Sequence, residues 1–184
     1  MFKFKVDREI YLKLLSEDQA EDLLELIDAN SDYLKEWIGW VERMKTLEEV
    51  QGFINNSRRQ FASGKSIITG IWFAGKLVGI IGLQKIDKVN KKAAMGYWLD
   101  YSCQGKGIIT RSTTALVDYA LTKMELNKVE IHCAEGNRKS RAIPEKLNFK
   151  EEGLLRDAEW LYDHYVDHVI YGLLAREWRE RKAE

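Results

Sequence analysis

The chain holds one proline and two cysteines in 184 residues, and neither sign of charge is in excess. Each scarcity excludes something. Cys103 and Cys133 belong to no Cys-x-x-Cys pair and no Cys/His cluster, so neither a disulfide framework nor a metal site is expected. That usage fits a reducing, cytoplasmic setting. The 29 lysines and arginines balance 29 acidic residues, which leaves no global field to attract nucleic acid or an acidic membrane. No stretch approaches the roughly 18 consecutive apolar residues of a membrane span, and Met1 to Lys5 leads into Asp7, Arg8 and Glu9 rather than into an apolar leader segment. Repeats, low-complexity tracts and linkers are also lacking. The expectation is a cytoplasmic protein with no membrane contact and no direct nucleic-acid partner.

What remains is a chain with 45% apolar residues, enough for one core, so a single domain over 1–184 is expected. Glu9 to Leu15 reads as a strand, and Ser16 with Gln19 makes a capping box for a helix carrying Ala20, Leu23, Leu24 and Ile27 on one face. Ser31 to Glu42 reads as a short helix, and Thr46 with Glu49 opens another through Val50, Phe53 and Ile54. Lys65 to Phe73 and Leu77 to Ile86 form an expected hairpin about Ala74-Gly75-Lys76, and Lys92 to Leu99 adds a neighbouring strand. Val117, Ala120, Leu121 and Met124 recur at helical spacing, and Lys128 to Cys133 alternates as a strand. A short helix near Arg141 to Leu147, a strand from Phe149 to Arg156 and a last strand from His164 to Leu174 complete the pattern. Pro144 is comfortable only in a first helical turn, which predicts a helix starting later than Arg141.

Between the third strand of this series and the helix after it lies Gln104-Gly105-Lys106-Gly107-Ile108-Ile109-Thr110. Glycines let backbone approach an anion with no Cβ between, and the N–H groups of a helix start point outward at the positive end of its dipole. Such a turn can seat a pyrophosphate, although a Gly-x-Gly turn by itself is more often just the start of a helix. Competing nucleotide motifs fail. The Gly-Lys-Ser at Gly64 to Ser66 has Arg59 where a Walker A loop needs its first glycine, and the third glycine of a dinucleotide fingerprint falls on Thr110.

Four segments together resemble the GNAT acetyltransferase superfamily, and within it the RimJ/RimL-like ribosomal-protein N-acetyltransferases. Gln104-Gly105-Lys106-Gly107-Ile108 is similar to the family's Q/R-x-x-G-x-G/A loop, and Gly96-Tyr97-Trp98-Leu99 to its GYW strand end. Asn137-Arg138-Lys139-Ser140 and Glu145-Lys146-Leu147-Asn148-Phe149 are similar to its NxxS and EKxGF signatures. The likeness spans nearly the whole chain. It implies an α/β fold, a twisted, mixed and mostly antiparallel sheet flanked by helices, and acetyl-CoA as co-substrate with no metal. The pyrophosphate would lie on the backbone of Gln104, Gly105, Lys106, Gly107, Ile108 and Ile109, with Thr110 beside it, and the pantetheine arm along Trp98 and Leu99. Two residues depart from the pattern. Ile109 puts a branched Cβ where the family has Gly or Ala, and Asn148 replaces the glycine of EKxGF, where asparagine still tolerates positive φ.

The resemblance also implies catalytic residues: Ser140 as the acid that protonates the leaving thiolate, and Glu159, on a loop before the last strand, as base. Ser140 could equally be an N-cap, Glu159 a solvated surface carboxylate, and Asn137 a cofactor contact or an Asx turn. Ala93-Ala94-Met95 lacks the acid that relatives often carry before GYW. A weak base suffices for one acceptor class. An α-amine with a pKa of about 7.8 is roughly one-tenth neutral at pH 7, whereas lysine at about 10.4 is neutral in well under one part per thousand, a gap of about 3.5 kcal/mol. By resemblance the acceptor is a primary amine, above all the N-terminal α-amine of a protein, with ribosomal proteins as the class it implies; a polyamine or antibiotic amine and a non-catalytic acyl-CoA-binding module are the alternatives.

Trp37, Trp40, Tyr97, Trp98 and Tyr101 are candidates for an acceptor groove, since aromatics give rigid contact area with polar tips; core packing is the alternative for Trp98, Trp37 and Trp40. His132, His164 and His168 lack metal-ligand spacing and receive no chemistry. Arg176 to Glu184 reads as a solvated tail, with RNA contact by Arg176, Arg179 and Arg181 as its alternative. A homo-oligomer is compatible with all of this.

Overall fold

The computed structural model describes residues 2–183; Met1 and Glu184, the ends of the expected domain and tail, lie outside them. β1 (Lys3–Lys5) and β2 (Ile10–Lys13) open the chain, the first too short to have announced itself in the sequence. The Ser16 capping box forms, with the Ser16 N–H donating to Gln19 Oε1 at 3.1 Å, and starts a 3-10 turn that leads into α1 (Ala20–Leu34). The separate helix expected over Ser31–Glu42 does not form. Ala20, Leu23, Ile27, Asn30 and Leu34 are all buried on one face, so α1 runs on through Ser31, and only a 3-10 turn, Val41–Arg43, follows. α2 (Leu47–Ala62) begins at the Thr46–Glu49 box as expected.

β3 (Ile67–Phe73) and β4 (Lys76–Asp87) form the hairpin, with Ala74 at φ 49° and Gly75 at φ 83°. Two left-handed residues in a two-residue loop match the twist of the strands they join. β5 (Lys92–Leu99) follows, then α3 (Ile108–Asp118), which continues into a π-helical turn over Tyr119–Lys123. β6 (Lys128–Ala134), α4 (Arg138–Lys146), β7 (Lys150–Leu161), β8 (His164–Leu174) and α5 (Ala175–Ala183) complete the order. The strands make one eight-stranded sheet ordered β1-β2-β3-β4-β5-β6-β8-β7. Its neighbours run antiparallel except β5 and β6, which are parallel.

Each face of the sheet carries its own core. Ile81, Leu83, Met95, Leu116 and Ile131 pack on the α3 side, whereas Leu23, Ile27, Val50, Ile54 and Trp98 pack under α1 and α2. The sheet centre needs glycine at close approaches: a Cβ on Gly79 would stand 2.3 Å from the Trp98 carbonyl oxygen.

Three expectations are corrected near the C-terminus. α4 starts at Arg138, earlier than predicted, and holds Pro144 in its interior. β7 runs to Leu161, so Glu159 sits in a strand rather than on a loop. The tail is a packed helix: Trp178 is buried and donates from Nε1 to Asp118 at 2.8 Å, while Arg181 donates to the carbonyls of Leu147 and Asn148. That pairing holds the turn in which Asn148 takes φ 52°, the positive angle its side chain tolerates.

Candidate active site

β5 and β6 pair only from Lys92–Met95 against Lys128–Ile131. Beyond Met95 the strands separate. Gly96–Leu99 keeps β4 on one side, and His132–Ala134 keeps β8, so the two edges facing each other are left without a partner strand. The Asp100 N–H goes to Val78 on β4 at 2.7 Å, and by strand alternation the polar groups of Leu99 face the gap. There the Leu99 carbonyl accepts the Tyr33 hydroxyl. No local pattern singles out Tyr33, which reaches this edge from the last turn of α1.

The gap opens into a cavity of about 930 Å³. Trp37, Tyr97, Trp98, Leu99, Gln104, Gly105, Gly107, Ile108, Ile109, Thr110, Asn137, Ser140 and Glu159 all line it. Two expected residues do not. Lys106 carries its ammonium over the Phe73 ring, 5.9 Å from its centroid. Trp40, partly buried, stacks on Phe53 at 6.4 Å and packs against Trp98 at the margin of the core under α2. An indole with two aromatic neighbours gains more from that contact than from a wet groove.

At the cavity's outer end Gly105 and Gly107 take φ 76° and 70°, and a Cβ on either would meet no protein atom within 4 Å. Gly107 precedes the first residue of α3 and brings no side chain to cap it, so the first N–H groups of the helix stay open toward the cavity. This is a cradle suited to an anion. Ile109 does not obstruct it: its side chain is buried in the core on the α3 side. Lys139, which donates to Gln104 at 3.0 Å, and the cavity-lining Arg138 and Lys146 add positive charge at this end.

α4 delivers Ser140. Asn137 is the N-cap, its Oδ1 accepting from the Ser140 N–H at 3.1 Å, which leaves the Ser140 hydroxyl free of capping duty. That hydroxyl lies 3.3 Å from the Cys133 thiol, whose pKa burial pushes up. The interior proline is accommodated by the same turn. Pro144 has no N–H for the carbonyl of Ser140, four residues back, and the Tyr97 hydroxyl donates to that carbonyl instead, at 2.9 Å. Burial pushes the Tyr97 hydroxyl well above its ordinary pKa, so it remains a donor. Tyr97→Phe is expected to leave a partly buried carbonyl without its partner and to cost about 1–3 kcal/mol. Urea unfolding checks this, and an unshifted midpoint would mean that the carbonyl is satisfied otherwise.

The opposite end holds Glu159. β7 and β8 fall out of register there: Leu155 faces His168, yet Glu159 faces Val166, so Arg156, Asp157 and Ala158 bulge opposite Asp167 alone. Asp157, at φ 50°, donates its N–H to Asp167 Oδ1 at 2.8 Å and pins the bulge. His164, Val166 and His168 share a face of β8, and the bulge slides Glu159 along that face from opposite His164 to opposite Val166, with Oε2 3.1 Å from His168 Nε2. The segment after α1 closes over this end: Tyr162 donates to the Ile38 carbonyl at 2.7 Å, and Trp37 lies against Gly136. His168, which lacks metal-ligand spacing and was expected to carry no chemistry, therefore lies in the cavity beside the expected base. Among the described residues no cluster of metal-ligating side chains occurs, and no helix is long and apolar enough to cross a membrane.

Residues 9–150 match the Acetyltransferase (GNAT) domain family. The chain belongs to the GNAT family. It is 41% identical over 183 residues to YdaF of Bacillus subtilis (strain 168), covering 99% of this chain and 100% of that one. It is 30% identical over 167 residues to the ribosomal-protein-serine acetyltransferase of Escherichia coli (strain K12), covering 91% and 93%. Among solved structures, the self-immunity acetyltransferase MccE in complex with acetyl-CoA and AMP superposes with a TM-score of 0.90 at 30% identity, over 92% of this chain and 94% of that one. RimL, a ribosomal-protein α-N-acetyltransferase in complex with coenzyme A, superposes with a TM-score of 0.92 at 25% identity, over 96% and 99%. The mixed sheet with its parting at β5 and β6 is thus a GNAT fold, and the protein is an N-acetyltransferase that acts on amines.

Proposed function

We propose that this GNAT enzyme transfers acetyl from acetyl-CoA to the α-amine at a protein N-terminus, with ribosomal proteins as the acceptor class. The observation that carries this reading is the composition of the acceptor end. Glu36 and Glu159 are the carboxylates lining the cavity, and Glu159 is paired with an imidazole. A polyamine would call for a concentration of acidic groups, which this lining does not offer. A single carboxylate at the acceptor position suits an α-amine that is already about one-tenth neutral at pH 7. The E. coli relative is named for ribosomal-protein acetylation, and RimL for an α-amino acceptor.

Acetyl-CoA supplies the activated acetyl thioester when bound. The open N–H groups at the start of α3 bind its pyrophosphate, helped by two glycines that keep side chains out of the way. The edge of β5 whose Leu99 backbone faces the gap pairs with its pantetheine amides as an added strand would, with Trp98 lining the cavity beside it. Glu159 takes a proton from the acceptor ammonium, the neutral nitrogen forms the C–N bond as the thioester C–S bond breaks, Ser140 gives its proton to the departing thiolate, and the second proton of the nitrogen returns to the Ser140 oxygen. Trp37 and the Ile38 backbone form the acceptor-side wall, and Tyr97 fixes the α4 turn on which Ser140 rides.

Thiol release from acetyl-CoA, measured with peptides bearing free N-termini, with the same peptides blocked but containing lysine, and with polyamines, tests the assignment. Release is expected with free N-termini and is expected to fall at least about a hundredfold with blocked ones, given the pKa gap. Equal rates with polyamines would overturn it.

A further inference from the structure

The base assigned above does not stand alone, and we infer that His168 is its positioning residue: by donating from Nε2 it holds one oxygen of Glu159 and leaves the other turned to the acceptor amine. The inference rests on the reading of Glu159 as base. A carboxylate that is to accept a proton can only accept hydrogen bonds, so at a 3.1 Å contact the imidazole nitrogen facing Oε2 is the donor. The backbone explains why such a donor is needed. Glu159 follows a bulge in which two residues more lie on β7 than their partner strand requires, a place where side-chain direction is set by local pairing rather than by a regular ladder. Its side chain is 38% exposed, whereas that of His168 is 18% exposed and rises from a residue of β8 paired on both sides, with Ala134 on β6 and Leu155 on β7. The better-fixed partner orients the looser one. Oε1 remains toward Gly39 and the segment after α1, where a Cβ on Gly39 would come within 3.8 Å of it.

Catalysis is sensitive to such placement, since a misplacement of about 1 Å can cost on the order of a hundredfold. Leucine at 168 fills similar space without a donor; glutamine offers an amide N–H at nearly the reach of Nε2. With an N-terminal peptide as acceptor, His168→Leu is expected to lower kcat about tenfold with the KM for acetyl-CoA unchanged. His168→Gln is expected to restore kcat to within about threefold of the parent. Glu159→Gln alone is expected to lower kcat about a hundredfold, and adding His168→Leu to it should change kcat by less than about twofold, because two residues that act as one unit are not additive.

A similar loss from His168→Leu in both backgrounds would make the histidine structural, and glutamine no better than leucine would remove the donor from the explanation; either result overturns the inference while leaving Glu159 as base. Unchanged turnover in Glu159→Gln by itself would instead overturn the base, and the inference with it. Thermal melting of each variant separates folding losses from these outcomes, and the glutamine variant carries the test if leucine does not fold.

Discussion

Ser140→Ala is expected to lower kcat about a hundredfold while moving the KM for acetyl-CoA by less than about threefold, at the low end of the range for general acids. The low end applies because the leaving group is a thiol, with a pKa near the cysteine value of about 8.5, and departs more readily than an alkoxide. KM should hold because Asn137 caps α4 through the Ser140 backbone N–H, a contact that alanine keeps. Cys133 complicates the picture in a measurable way. Its thiol lies 3.3 Å from the Ser140 hydroxyl, and burial keeps it protonated, so it can stand in as a poorer donor. Ser140→Ala combined with Cys133→Ala should therefore be slower than Ser140→Ala alone. Steady-state thiol release at saturating acceptor measures both, and a single variant with kcat within about twofold of the parent would leave no role for the hydroxyl as an acid.

Gly79→Val should be the most damaging substitution for stability. A side chain there would start 2.3 Å from the Trp98 carbonyl oxygen and 3.0 Å from the Leu99 Cα, both backbone atoms that no rotamer change can move aside. β4 must part from β5, at a cost of about 3 kcal/mol or more by analogy with overpacked cores. For a protein of this size that corresponds to a fall of roughly 10 °C in melting temperature. The damage would also reach the cavity, because the displaced residues are the strand end beside the gap. Calorimetry with and without coenzyme A would show a lower midpoint and a smaller ligand-induced rise; a variant that melts like the parent would mean the sheet flexes more freely than its backbone contacts imply.

The sequence was most readable where short-range chemistry decides. The capping boxes at Ser16 and Thr46, the hairpin at Ala74-Gly75 and the glycine turn before α3 all form where their side chains and backbone angles require. It was least readable where distant residues decide. Ser31 to Glu42 resembles a helix of its own, but Asn30 is held by Leu26 and by the Tyr101 N–H, a partner 71 residues away, and α1 continues past it. Pro144 argued for a later helix start because nothing nearby announces that a tyrosine from β5 will satisfy the carbonyl it strands. Within the cavity, Ser140 and the glycines were visible through family patterns. Tyr33 and His168 were not: one acts across the sheet, and the other comes beside Glu159 only because of a bulge that no local residue pattern announces.

The exchange at Pro144 has a consequence for the gap itself. The Tyr97 hydroxyl that takes the place of the missing helical donor runs from β5 to α4, and α4 is continuous in sequence with the end of β6. It is thus a cross-brace between the two sides of the opening, fixing their spacing at the level of the third residue of α4. An opening braced in this way has its width set before any ligand arrives, and what must become ordered on association is then chiefly the flexible arm that enters it.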